Sequence, residues 1–202
     1  MPMLRSNWLE SLVLVFSVAM AIPAYSRELP EIGDAIGDFE LTDQSGRTVR
    51  LSDFEGKTVV LEWTNPDCPF VKRHYEAKTM RALAERYADR GVVWLAVNST
   101  HYMKAEGNAD FIKKYQLPYP VLMDPTGAVG KRLGARTTPH MYVVDAVGRL
   151  AYVGAIDDDP RGKSEGSGKN YVADCLEDIT AGRPVRNAKT KPYGCSVKYA
   201  KR

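Results

Sequence analysis

Only three of the 202 residues are cysteine. That is too few for a domain held by a disulfide framework and too few for an all-cysteine zinc site. No apolar run reaches the roughly 20 residues that a membrane-spanning helix needs. Internal repeats, collagen-like periods, heptads and low-complexity tracts are also missing, which excludes fibrous, coiled-coil and low-complexity architectures. No basic helix or zinc-finger spacing marks a nucleic-acid module, so no nucleic-acid partner is expected. What is present is ordinary: 44% hydrophobic and 26% charged residues, as expected of one folded globular domain at this length. With so little sulfur, each cysteine calls for an explanation.

Leu12 to Ile22 is a short apolar stretch broken only by Ser17, followed by Pro23 and then Ala24-Tyr25-Ser26. A short apolar core before a small-x-small tripeptide reads as a secretory leader over residues 1–26, with a buried N-terminal helix as the alternative. A leader implies export, to a periplasm or beyond the cell, with no membrane insertion after cleavage. It also implies a compartment where disulfides can form. At the other end, seven Lys/Arg and no Asp/Glu follow from Arg183 onward, against a net charge of +3 for the whole chain. This basic tail, residues 184–202, is expected to lie on its acidic body or to stay solvated.

Between these ends, 27–36 reads as an exposed lead-in and 37–183 as the folded domain. Phe39 to Leu41 and Thr48 to Leu51 flank an Asp-Gln-Ser-Gly turn and predict a hairpin. Thr58 to Trp63 is β-branched and nearly all apolar, the pattern of a buried central strand. Pro69 to about Asp89 carries a helical apolar stripe (Phe70, Tyr75, Met80, Leu83, Ala84, Tyr87). Val92 to Val97 predicts a second buried strand, Ala105 to Tyr115 a helix and Pro120 to Met123 a short strand. A helical turn at Val129 to Leu133 precedes a hairpin of 141–145 with 150–154. Asp157 to Gly168 reads as a loop, and Asn170 as the cap of a last helix reaching Thr180. The order predicts an α/β fold with a mixed central sheet and helices on both faces.

Cys68 stands between the Thr58–Trp63 strand and a helix whose first residue is Pro69. Backbone N–H groups at a helix start favour a negative sulfur and lower a thiol's pKa. Lys72, one turn on, would add to this, whereas His74, some 240° round the helix, is poorly placed as a base. The bland alternative is a small buried hydrophobe. Cys175, among apolar neighbours in the last helix, reads as an inert buried thiol. Asp157-Asp158-Asp159 lacks calcium-loop spacing.

These residues resemble the thioredoxin superfamily, in particular the peroxiredoxin-like redoxins of the AhpC/TSA type. Cys68-Pro69-Phe70-Val71 stands where thioredoxins carry Cys-x-x-Cys, with Val71 replacing the second cysteine. Glu62 matches the buried carboxylate that serves there as proton acceptor, with a buried pair to Lys57 as the alternative. Thr137 to Asp145 is similar to the family's cis-proline loop and the strand after it. A closer likeness, to secreted redoxins, joins Asn65-Pro66-Asp67-Cys68-Pro69-Phe70-Val71 to a terminal Lys191-Pro192-Tyr193-Gly194-Cys195-Ser196-Val197-Lys198-Tyr199. The resemblance implies a thioredoxin-like three-layer α/β/α sandwich. It also implies a site with Cys68 as nucleophile, and with Thr138, Pro139, Pro69 and Phe70 beside an extended substrate.

The departures shape the functional reading. Peroxiredoxin sites resemble Pro-x-x-x-Thr/Ser-x-x-Cys, but here Asn65 and Leu61 stand three and seven positions before Cys68. The peroxidatic cysteine of that family also aligns with Val71. A flexible tail could bring Cys195 to Cys68, either as resolving thiol or as a structural staple. A loop of this length is worth about 4–5 kcal/mol on the chain-entropy model. The expected activity is therefore exported thiol–disulfide exchange with protein or small-molecule thiols and disulfides, without cofactor or metal. Alternatives are an antioxidant thiol peroxidase, and a non-catalytic binding module handling copper through Cys68, His140 and Met141.

Overall fold

The computed structural model describes residues 29–164 and 168–201; the proposed leader lies outside them. Among the described residues, nine strands and five α-helices follow in chain order. They are β1 (Glu40–Asp43), β2 (Thr48–Arg50), β3 (Thr58–Trp63), α1 (Pro69–Glu76), α2 (Thr79–Tyr87), β4 (Val92–Asn98) and α3 (Ala105–Tyr115). Then come β5 (Val121–Met123), α4 (Ala128–Leu133), β6 (Thr137–Thr138), β7 (His140–Val144), β8 (Leu150–Gly154), α5 (Tyr171–Thr180) and β9 (Cys195–Ser196). Seven strands form one sheet in the order β2-β1-β5-β4-β3-β7-β8. β3 and β4 run parallel, as do β4 and β5, and the outer pairings are antiparallel. The sheet is mixed; β4 is its middle strand and β3, also interior, lies beside it.

Strand alternation divides the interior into two cores. Val60, Trp94, Ala96, Met141 and Val143 face a layer holding Val71 and Tyr75 of α1, Met80 and Leu83 of α2, Phe111 of α3 and Cys175 of α5. Leu61, Trp63, Leu95, Val97, Tyr142 and Val144 face the other side, with Val129 and Leu133 of α4 and Ile36 and Phe39 of the lead-in. This is the expected three-layer α/β/α arrangement, with four helices on one face and one on the other.

The expected single helix from Pro69 to Asp89 is instead two. Lys78 adopts φ 58°, in the left-handed region, between α1 and α2. The cause is visible in the apolar phase. α1 buries Val71, His74 and Tyr75, and α2 buries Met80, Leu83, Ala84 and Tyr87. Tyr75 and Met80 are five residues apart, about 140° out of step on a straight helix. A break resets the phase so that both stripes reach the sheet. Elsewhere local chemistry acts as read. Asn170 Oδ1 accepts the Ala173 N–H at 2.8 Å and caps α5, a contact worth about 1 kcal/mol.

The lead-in has mostly exposed side chains, yet its backbone is bonded to the body: Gly33 N donates to Leu150 O at 2.8 Å and Leu150 N to Asp34 O at 2.9 Å. The tail departs further from expectation, because it is an ordered strap and not a flexible end. Val153 N donates to Ala188 O and Thr190 N to Val153 O. β9 then pairs antiparallel with β6, Thr138 opposite Cys195. Two of its cations pair with acidic residues elsewhere in the chain: Arg186 with Asp178, which also holds Arg183 at the tail's root, and Lys189 with Glu31 of the lead-in.

Candidate active site

The site begins where β3 ends. Thr64 N is still bonded to Val97 O at 2.9 Å. Asn65 then turns the chain, its Oδ1 accepting Asp67 N at 2.9 Å and its carbonyl accepting Cys68 N at 3.0 Å. Cys68 is the N-cap of α1 and Pro69 follows in the first turn, where its missing N–H costs nothing. The Cys68 thiol is 2% exposed and donates to Thr138 O at 3.0 Å. The Thr138–Pro139 peptide is cis. Through β6–β9 pairing, Thr138 also fixes Cys195, so the structure brings together Cys68, Thr138 and Cys195 from three distant parts of the chain.

The two facing thiols are inequivalent. Burial opposes charge on Cys68, but hydrogen bonds from the Cys195 and Thr138 side chains and the backbone N–H groups of Val71 and Cys195 outweigh it, and its pKa falls below the ordinary thiol value. The Thr138 hydroxyl is buried and has no partner while Cys68 is a thiol; on the thiolate it becomes a donor. For Cys195, burial, its hydrogen bond to Cys68 and the charge there push the pKa up to about 11, with Lys198 opposing. The first negative charge therefore resides on Cys68. Cys175 lies away from this pair in α5, its pKa pushed to about 12 by burial and the Asp178 charge.

Other expected residues are placed differently. Lys72 is exposed, and its backbone N–H donates to the Cys68 carbonyl at 2.9 Å; the groups named as lowering the Cys68 pKa are Cys195, Thr138 and Val71. Pro69 and Phe70 wall a groove of about 490 Å³ beside Cys68 with Arg73, Pro160, Arg161 and Lys163. Glu62 is fully buried on the Cys68 side of the sheet. Its partners are Tyr75 Oη (2.8 Å) and Trp94 Nε1 (3.0 Å), not Lys57. Burial, only partly offset by these bonds, raises its pKa to about 7. His140 and Met141 are consecutive in β7 and face opposite layers: Met141 shares the core of Cys68, whereas the His140 ring packs on Tyr142 at 4.6 Å. They cannot converge with Cys68 on one ion, and no group of three or more His, Cys, Asp or Glu suited to a metal exists among the described residues.

Sequence reasoning missed what holds the strap. The Tyr193 hydroxyl sits in a polar socket, bonded to His74 Nε2 (3.0 Å), Arg73 (3.2 Å) and Asp157. Burial lowers the His74 pKa to about 4, against the pull of Asp157, so His74 serves as a neutral partner of Tyr193. Beyond β9, Tyr199 Oη donates to Ala135 O at 2.8 Å. Its ring covers Gly127 and its hydroxyl sits over Gly130, where a Cβ would collide with it. The available signal was the pair of tyrosines flanking Gly194-Cys195 in the terminal motif.

Comparison with known proteins agrees with this geometry. The AhpC/TSA family model matches residues 32–153. The thiol-disulfide oxidoreductase ResA of Bacillus cereus is 29% identical over 144 residues, covering 69% of this chain and 81% of that one. The chloroplastic peroxiredoxin Q of Triticum aestivum is 32% identical over 132 residues, 60% of this chain and 57% of its own length. Among solved structures, a conserved protein from Geobacillus kaustophilus superposes with a TM-score of 0.75 at 29% identity, over 85% of this chain and 94% of its own. Matched over more than half its length, and built as a three-layer sandwich with one cysteine at the tip of its first helix, the chain belongs to the AhpC/TSA family.

Proposed function

We propose that the protein is an exported thiol–disulfide oxidoreductase in which Cys68 attacks and Cys195 resolves. The observation that carries this reading is the pairing of Thr138 with Cys195, which seats a second thiol against the one thiol whose pKa is lowered. The Cys68 thiolate attacks one sulfur of a substrate disulfide. A Cys68–substrate bond forms, the substrate disulfide breaks, and its other sulfur leaves as a thiolate. Once Cys68 is bonded it carries no charge, so the repulsion that raised the Cys195 pKa disappears. Cys195 then attacks Cys68 Sγ, the Cys68–Cys195 disulfide forms, and the reduced substrate leaves with two electrons. A dithiol reductant restores the pair. Glu62, poised near neutrality beneath α1, is the group we assign to take up a proton within the site.

The export part of this proposal rests on the leader expected over residues 1–26. No helix among the described residues is long and apolar enough to cross a membrane. A peroxide reaction has less support, since Asn65 stands where the hydroxyl residue of peroxidase sites is expected, its side chain engaged in its own turn.

The test is Cys195→Ser. During reduction of insulin by the full-length variant, a Cys68–insulin mixed disulfide should accumulate and be seen by non-reducing electrophoresis and mass spectrometry. Turnover at the unmodified rate with no trapped adduct would remove Cys195 from the mechanism.

A further inference from the structure

Glu62 is fully buried, and Cys68 beneath the strap is nearly so. A carboxyl that takes up a proton there must also exchange it with solvent. Three side chains bond or face it: Tyr75, Trp94 and Thr64. The Trp94 indole only donates, so it cannot hand a proton on. The Thr64 hydroxyl is buried and has no onward partner among the described residues. The Tyr75 hydroxyl both donates and accepts, and it alone of the three is linked further. Tyr119 Oη donates to Tyr75 Oη at 3.4 Å, and Tyr75 Oη donates to Glu62 Oε1 at 2.8 Å.

Tyr119 carries this line to the surface. It keeps 6% of its area exposed. With Trp94 it walls a cleft of about 670 Å³, where the charged groups are the exposed Arg47, Asp53 and Glu85. The cleft follows Val92 to Leu95 of β4, the half that pairs with the start of β3. Cys68 follows the other end of β3, so the line leads away from the strap. Burial holds both phenols well above their ordinary ionisation range. Neither waits as a phenolate, and protons can pass along the line only by shifting together.

We propose that Tyr75 and Tyr119 are the path by which the buried Glu62 carboxyl exchanges its proton with solvent in this cleft. This rests on the assignment of Glu62 as proton acceptor and names the route that role requires. On release, the Glu62 proton passes to Tyr75 Oη, the Tyr75 proton to Tyr119 Oη, and the Tyr119 proton to water. Three O–H bonds break, three form, and one proton leaves. The shift ends with both hydroxyls donating toward the carboxylate, the order of donors given above; uptake runs in reverse. Because the route avoids the strap, it operates while the strap covers Cys68.

The test follows tryptophan fluorescence of the full-length reduced protein after a laser pH jump from a caged proton, starting at mildly alkaline pH. Trp94 is bonded to Glu62 and senses its charge, and Glu62→Gln identifies that phase by abolishing it. Tyr119 does not touch the carboxyl. Tyr119→Phe should therefore keep the titration midpoint and slow the relaxation about a hundredfold, a usual worth of a proton-transfer group. Tyr75→Phe should slow it as much and also raise the midpoint, since a hydrogen bond that favours the carboxylate is lost. Tyr115→Phe is the control. Its ring lies 5.3 Å from Tyr75 and its buried hydroxyl has no partner, so neither rate nor midpoint should change. In the unmodified protein, the rate should fall along a curve as D2O replaces H2O, because several protons move at once. An unchanged rate in Tyr119→Phe, equal slowing in Tyr115→Phe, or a straight-line D2O dependence would overturn the relay while leaving proton uptake by Glu62 intact. A fluorescence titration that survives Glu62→Gln would overturn the role of Glu62 itself, and the relay with it.

Discussion

Cys68→Ser should reduce thiol–disulfide exchange to the uncatalysed rate, a loss of about a thousandfold or more. Cys68 is the thiol whose charge is favoured, by hydrogen bonds from Cys195, Thr138 and the start of α1 that together outweigh burial. A serine hydroxyl can keep the bond to Thr138 O, so the β3–α1 junction survives, but its alkoxide is out of reach near neutral pH and does not attack sulfur. The contrast is Cys175→Ser. Cys175 is buried in α5 with its pKa pushed to about 12, and turnover there should stay within about twofold of wild type. Insulin reduction assayed with dithiothreitol as the electron source distinguishes the two. A Cys68→Ser protein retaining a tenth of the activity would contradict the assignment.

Glu62→Gln should stabilise the reduced protein in a pH-dependent way. Burial raises the Glu62 pKa from 4.5 to about 7, so the native state holds its proton more tightly than the unfolded chain does. Below pH 4.5 both states are protonated and nothing is lost. Between pH 4.5 and 7 the unfolded chain gives up this proton while the native state keeps it, so stability falls by about 3 kcal/mol and levels off once the native carboxyl ionises as well. Glutamine is neutral throughout. Its carbonyl can accept the Trp94 N–H and its amide can donate to the Tyr75 oxygen. Urea denaturation should show variant and wild type alike near pH 4.5, apart from a constant offset, and the variant more stable by about 3 kcal/mol relative to that offset at pH 8. The same difference at both pH values would show that folding does not raise the Glu62 pKa.

What could be read from the chain was what depends on near neighbours. The run Thr58 to Trp63, the Asn65-Pro66-Asp67 break and Pro69 at the helix start place Cys68 without any distant contact. Asn170 likewise fixes the start of α5. The break at Lys78 was missed because both halves are good helix formers; only the phase slip between Tyr75 and Met80 betrays it. The strap was misjudged most. Its residues are polar and basic with no period, and its order comes from places made for it elsewhere: Gly154 beneath Thr190, Gly127 and Gly130 beneath Tyr199, and the Arg73–His74–Asp157 socket around Tyr193. The terminal motif held the partners of those places, but nothing local to it says where they lie.

The pairing of Cys68 with Cys195 is the point on which the account turns. Full-length protein equilibrated in glutathione buffers of graded potential, then mapped by peptide mass spectrometry, measures it directly. The account predicts a Cys68–Cys195 disulfide with Cys175 free, opening and closing at a potential above about −300 mV, where a bond remains labile to exchange. A Cys68–Cys195 bond that resists reduction below that potential would make the strap a structural staple, and a disulfide using Cys175, or none at all, would contradict the site as assigned.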